Sequence, residues 1–373
     1  MKNQTLILLG ATGNLAKLKI YPALKFLKEN CYVDSSFKLI GVAYEDKTTE
    51  EYREFVASAT DNQINDAEYV TMDFEKEDFH KLAERIPKDG DVTFYLAINP
   101  KHFLTILRNI KKCGYLDNRK IILEKPYGLN YQNTVEINGF IDDSFEKNQV
   151  YRIDHYLAKE GLEELAQAKK TYSEQWNSNY IKSLSFVFTE TNGIEERLDF
   201  YRETGAVVDF MQNHILQLIL KTIDEPVEVV LESMKNGDSY FHGKQYLDFQ
   251  RETLVYGSIS LNSAKWKNLK VNLLTGKKMK EKKSQIIIDF KTNNNPLVID
   301  FTKKSNTMPE YARLILDCME GNSEKFVSGK MAEATWEFGD LIRTWWKDQE
   351  DIEKYKEDTL TSKDILNWIE LEG

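Results

Sequence analysis

Residues 5–15 read TLILLGATGNL: a short, almost wholly apolar run, a turn built on Gly10 and Gly13, then the start of a helical pattern. An apolar run of this length, closed by turn residues, is expected of a strand buried on both faces of a parallel sheet. Gly10 permits the tight turn and Gly13 a close backbone approach. Thr12, Asn14 and Leu15 then stand where main-chain N–H groups and a helix N-terminus can receive a dinucleotide pyrophosphate. The GxxG pattern alone also describes a plain turn; its position at the first strand-to-helix junction favours the phosphate reading.

The pattern continues outward in the same alternation. Leu15, Leu18, Tyr21, Leu24 and Leu27 recur at helical spacing over residues 15–29. A second buried strand is expected at 37–43, a helix at 52–59, a strand at 91–98, a helix at 102–113 and a strand at 120–124. Apolar strands alternating with helices predict a Rossmann-type, doubly wound parallel sheet, assigned to a domain over residues 1–153. After Arg152 the pattern changes. Residues 181–190 alternate, 210–223 form an apolar helix, and strand-like runs follow at 228–234, 254–261, 269–274 and 285–291. Helices are expected around 310–320, 331–349 and 362–370. Successive strands without intervening helices predict an α+β domain over residues 154–373, with a large mixed or antiparallel sheet backed by helices.

Composition narrows the function classes. The 373 residues are 41% hydrophobic and 29% charged, enough for two cores. A net charge of −10 argues against a nucleic-acid partner, since phosphate backbones reward clustered Lys and Arg. Cys31, Cys113 and Cys318 are widely spaced and lack a CxxC pair, so neither a disulfide frame nor a metal site is expected. A reducing cytoplasm is the expected location. The N-terminal apolar run is too short for a signal peptide, and no stretch approaches a membrane span.

Three further stretches carry chemistry. The second strand ends in GVAYEDK, placing Tyr44, Glu45 and Asp46 where the adenosine ribose is read. A carboxylate accepts hydrogen bonds from ribose hydroxyls and repels a phosphate on that ribose, which favours NAD over NADP; a solvated turn is the plain alternative. Lys125, in ILEKPYG, follows a strand end at the carboxyl edge where such sheets place ligands. Residues 152–160, RIDHYLAKE, crowd Asp154, His155, Tyr156 and Lys159 together. His214 lies in the apolar stretch VVDFMQNHILQLIL. A satisfied core histidine is the ordinary reading of His214 taken singly, but Asp209, Gln212 and Asn213 beside it suit a base for a hydroxyl proton.

GATGNLAKLKIYPAL, EKPYG, YRIDHYLAKE and residues 190–217, ETNGIEERLDFYRETGAVVDFMQNHILQ, resemble the signature segments of the glucose-6-phosphate dehydrogenase family, in order and approximate spacing. The later segments TLVYGSISLNSAKW, LLTGKKMKEKKSQIIIDF and YARLILDCMEGN fit as well. The resemblance implies that His214 is the general base on the C1 hydroxyl of a hexose 6-phosphate and that Asp154 stabilises its imidazolium. It implies that His155, Tyr156 and Lys159 hold the 6-phosphate, and that Lys125 contacts sugar and cofactor. Glu190, Asp209, Lys277 and Lys282 become further substrate contacts. Ala97, Asn99 and Pro100 join the phosphate turn as cofactor contacts. The implied product is the 6-phospho-1,5-lactone, and the implied assembly a homodimer through the C-terminal sheet.

The sequence also departs from the family. Asn14 stands where an acid is usual, Ile98-Asn99-Pro100 where LPP is usual, and Lys282 where an arginine is common. Tyr44 followed by Glu45, where NADP-using members place an arginine, strengthens the NAD expectation. The chain is also shorter than full-size members, with much of the difference between His214 and Lys277 and in the tail, so a trimmed cover over the sugar site that admits a modified or amino hexose 6-phosphate is an open expectation. Two other readings remain open: a two-domain sugar oxidoreductase acting at another ring carbon or on an unphosphorylated, modified or nucleotide-linked sugar, and a non-catalytic paralogue that binds dinucleotide or sugar phosphate.

Overall fold

The computed structural model describes residues 4–75, 79–112, 119–247, 251–292, 295–303, 308–346 and 352–372. Two compact units divide it: residues 1–158 with 305–333, and residues 159–304 with 334–373. The sequence placed one break at 153/154; the chain instead divides at 158/159 and later returns to the first unit.

The first unit is built on β1 (Gln4–Leu9), β2 (Lys38–Ala43), β3 (Ala67–Thr71), β4 (Asp91–Leu96), β5 (Arg119–Leu123) and β6 (Val150–Ile153). These pair in parallel in the order β6-β5-β4-β1-β2-β3. Every residue of β1 is buried, because both faces of the sheet are covered. Leu6 and Leu8 pack with Tyr21 and Leu24 of helix Tyr21–Glu29 and with Leu314 and Ile315 of helix Glu310–Glu320. Ile7 and Leu9 pack on the other face with Phe103 and Leu107 of helix Phe103–Lys112 and Ile137 of helix Tyr131–Ser144. The late helix Glu310–Glu320 thus completes the first core. Phe326 and Val327 extend the same sheet, pairing antiparallel with Ile153 and Arg152. That is the physical reason residues 305–333 belong here.

Strand order reverses on either side of β1, so the switch point lies at the carboxyl ends of β1 and β4. The helix expected over residues 15–29 is present, but its first turn, Ala16–Ile20, is π-helical. Gly41 lies against the ring of Tyr52, which a Cβ there would strike. Helix Thr49–Ala59 opens with a capping box between Thr48 and Glu51.

The second unit holds β7 (Ile181–Thr189), β8 (Tyr240–Gln245), β9 (Leu254–Leu261), β10 (Leu269–Gly276), β11 (Lys283–Phe290) and β12 (Leu297–Asp300). Their order is β12-β11-β7-β10-β9-β8, closed by a two-residue strand at Glu353–Lys354. The sheet is mixed: β7 and β10 run parallel, while β9, β11 and β12 pair antiparallel with their neighbours. The strand expected at 228–234 is instead helix Val227–Asn236. Its buried Val227, Val230, Leu231 and Met234 follow helical spacing; the β-branched run VEVV concealed this period. Helix Ser362–Glu372 packs Ile365 and Ile369 on Val187, Leu254, Tyr256 and Leu274 of the sheet.

Cys31 is exposed and Cys318 buried, both as free thiols; Cys113 lies outside the described residues. Among the described residues, no helix is long and apolar enough to cross a membrane.

Candidate active site

The turn after β1 is built as a cradle. Gly10 has φ +85°, and a Cβ there would run into the carbonyl of Ala97. The Gly10 and Ala11 N–H groups donate to the Val42 carbonyl at 2.8 and 3.2 Å, and Ala97 N–H donates to Leu9 O at 2.9 Å. Tyr21 Oη donates to Ala11 O at 2.6 Å and lies 2.9 Å from Tyr52 Oη, bracing the turn from below. Gly13 and Asn14 are exposed; Thr12 and Leu15 are half-buried.

Because β2 and β4 flank β1, the other expected cofactor residues reach the same edge. Tyr44 is 72% exposed at the end of β2. Glu45 follows half-buried, its carbonyl accepting the Tyr69 hydroxyl at 2.8 Å. Burial, with Glu45 and Asp46 nearby, pushes the Tyr69 phenol up to about 12. Beyond β4, Asn99 Oδ1 caps the short 3-10 turn Pro100–His102 through Lys101 N–H at 3.0 Å.

Further along the edge, β5 delivers Lys125 half-buried and β6 delivers Asp154 fully buried. Asp154 Oδ1 accepts Tyr156 N–H at 3.0 Å, and its carbonyl accepts Leu157 N–H at 3.0 Å. Asp154 thereby caps the 3-10 turn His155–Ala158. The His155 ring stacks on Tyr311 at 5.9 Å and lies 5.0 Å from the Tyr156 ring.

Sequence reading missed Glu124, Tyr95 and Tyr311 in this unit. Glu124 is buried and accepts the Tyr95 hydroxyl at 2.5 Å. Burial raises its carboxyl to about 7 against the opposing pull of Tyr95 and Lys125. Burial also raises the Tyr311 phenol, with Glu124 and Asp154 adding to it. The signal for Glu124 was an acid at the end of a strand whose other residues are buried; Tyr311 had none, because it arrives from a helix far along the chain.

The second unit groups a different set. Asp209 is 3% exposed. It accepts Tyr201 Oη at 2.7 Å and Arg197 Nη2 at 3.1 Å, and Lys277 Nζ lies 3.3 Å away. Lys277 also pairs with Glu190 and lies 5.7 Å over the Tyr201 ring. Burial pulls the Lys277 ammonium down, yet Asp209 and Glu190 outweigh it and the net shift is upward. Arg197 and Tyr201 were not anticipated. The chain turns through Gly205 at φ +64° before Asp209, so spacing could not reveal their convergence.

His214 is 1% exposed in the π-helical segment Val207–Ile215, with the Phe210 ring edge-on at 4.9 Å. Asn213 Nδ2 donates to Val208 O at 2.6 Å. Lys159 Nζ donates to the Phe301 carbonyl at 3.3 Å. Lys282 is exposed just before β11, and among the described residues no ion pair joins it to the Lys277 network.

The sequence model described as "Glucose-6-phosphate dehydrogenase, NAD binding domain" matches residues 7–164. The one described as "Glucose-6-phosphate dehydrogenase, C-terminal domain" matches residues 165–240 and 296–373. Residues 241–295, which hold Lys277 and Lys282, fall outside both matches. The glucose-6-phosphate 1-dehydrogenase of Bacillus subtilis is 25% identical, covering 97% of each chain. That of Leuconostoc mesenteroides is 24% identical, covering 93% of each. The Bacillus alignment runs over 476 positions against the 373 residues here, so the relative carries segments this chain lacks. Among solved structures, a glucose-6-phosphate dehydrogenase in complex with its substrate glucose-6-phosphate superposes with TM-score 0.84 at 20% identity, covering 100% of this chain and 98% of that one. A UDP-N-acetylglucosamine 3-dehydrogenase from Acidithiobacillus ferrooxidans superposes at 0.59 with 13% identity, covering 92% of this chain and 98% of that one, a likeness of fold alone. The two family matches cover most of the sequence, and the chain belongs to the glucose-6-phosphate dehydrogenase family.

Proposed function

We propose that the chain oxidises C1 of glucose 6-phosphate, or a close hexose 6-phosphate analogue, to the 6-phospho-1,5-lactone. The observation that carries this reading is the unbroken family match from residue 7 to residue 240. That span holds Lys125, Asp154, His155, Tyr156, Lys159, Glu190, Asp209 and His214.

His214 takes the proton from the C1 hydroxyl, a role suited to an imidazole, whose ordinary titration range lies near neutral pH. Asp154 balances the charge that His214 acquires. His155, Tyr156 and Lys159 supply the imidazole, phenol and ammonium donors that a phosphate dianion needs. Lys125 orients the sugar near the reacting carbon, while Glu190 and Asp209 accept from ring hydroxyls and Lys277 donates to the substrate, with Lys282 as a further substrate lysine. The nicotinamide, when bound, accepts the hydride from C1.

The phosphate turn suits such a cofactor: Gly10 takes a tight, positive-φ turn packed on the Ala97 carbonyl that a Cβ would bar, and Gly13 and Asn14 are open to solvent. NAD is the proposed partner, supported by the Glu45 carboxylate beyond β2, which repels a ribose phosphate. A homodimer through the second sheet is the proposed assembly. A cytoplasmic location belongs to the same proposal. The test is the appearance of reduced cofactor with glucose 6-phosphate against free glucose, with NAD and NADP in parallel. Oxidation of the free sugar at an equal rate would favour the broader group of sugar oxidoreductases.

A further inference from the structure

The main chain of Lys277 is gripped by groups that belong to none of the proposed substrate contacts. Its N–H donates to the Thr253 carbonyl at 2.9 Å. Its carbonyl accepts the hydroxyl of Tyr355, 78 residues further along, at 2.6 Å. The same hydroxyl lies 3.1 Å from Thr253 Oγ1, so one buried phenol links both ends of the Lys277 peptide frame.

The contact continues beyond Tyr355. Asp358 N–H donates to Lys278 O at 2.8 Å, and Lys280 N–H donates to Leu360 O at 3.0 Å. Ser362 donates from its N–H and its hydroxyl to Glu281 Oε1 at 3.1 and 2.6 Å. Residues 355–362 therefore run beside residues 277–281 with repeated hydrogen bonds. Lys278 and Asp358 both sit in the left-handed region, at φ +49° and +55°. Side chains with a Cβ rarely adopt that conformation, so the turn keeps its shape only while its surroundings hold it.

The Lys277 ammonium stands between the carboxylates of Glu190 and Asp209. Its place depends on where its backbone is fixed, and a misplacement of a fraction of an ångström weakens contact with a bound ligand. We propose that residues 355–362 are a strap that sets the substrate lysine, with Tyr355 as a positioning residue acting through Lys277. This rests on the reading above that Lys277 contacts the sugar phosphate.

The test is a double-mutant cycle on the full chain, reading KM and calorimetric Kd for glucose 6-phosphate. Tyr355→Phe removes the hydroxyl and keeps the ring. We expect it to raise both constants roughly fivefold, the scale of one lost hydrogen bond, with KM for NAD unchanged and Tm lowered by only about one to three degrees. In a Lys277→Met background the same change should have no further effect. An unchanged affinity in Tyr355→Phe, or an equal effect in both backgrounds, overturns the strap. If Lys277→Met alone leaves affinity untouched, the assignment of Lys277 fails and the strap falls with it. A wild type that neither binds nor oxidises the sugar phosphate overturns the functional reading itself.

Discussion

Glu124 is a carboxyl held in the core between the Tyr95 hydroxyl and the start of the Lys125 turn. Its folded pKa, about 7, stands above the ordinary 4.5. The native state therefore holds a proton that the unfolded chain releases, and stability falls as pH rises through that window, by about 3 kcal/mol in all. Glu124→Gln keeps an acceptor for Tyr95 and removes the titration. Calorimetric melting should show wild type losing stability relative to the variant between pH about 5 and pH about 8; parallel profiles would contradict the assignment. Residues of this kind mark the limit of sequence reading. Asp154, His155, Tyr156 and His214 stood out because polar groups were packed into short or apolar stretches. Arg197, Tyr201 and Tyr311 did not, because their partners lie across a backbone break or far along the chain.

At the scale of elements, the strand-turn-helix at residues 5–15 was legible because burial on both faces leaves a continuous apolar run and the turn demands glycine. Gly10→Ala tests that turn. A Cβ would meet the Ala97 carbonyl at a backbone conformation alanine avoids, so we expect more than about 1 kcal/mol of lost stability. Urea unfolding checks the stability, and NADH fluorescence titration should show weakened binding. Unchanged values in both would mean that the turn is not the cradle described. Other strands were harder to read: β3 (AEYVT), β6 (VYRI) and β8 (YFHGKQ) carry charged or polar residues within the run, so no continuous apolar stretch marks them. VEVV in helix Val227–Asn236 carried the branched side chains of a strand on the spacing of a helix.

At the scale of the whole molecule, the class of each sheet was legible from the order of apolar runs, but the division of the chain was not. Residues 305–333 return to the first unit because helix Glu310–Glu320 covers its sheet, a pairing no local pattern encodes. Helix Ser362–Glu372 packs on an apolar strip of the second sheet formed by Val187, Leu254, Tyr256 and Leu274. Sedimentation velocity at micromolar concentration tests the proposed homodimer: we expect a species near twice the chain mass of 43.5 kDa, and a single species at 43.5 kDa would contradict it. The central claim is oxidation of a phosphorylated sugar with His214 as base. It is tested most directly by the rate of NADH formation from glucose 6-phosphate in wild type and His214→Asn, with free glucose as control. We predict turnover by wild type with the phosphorylated sugar, little with glucose, and a loss of about a hundredfold or more in the variant. Equal rates in the two proteins would contradict the account.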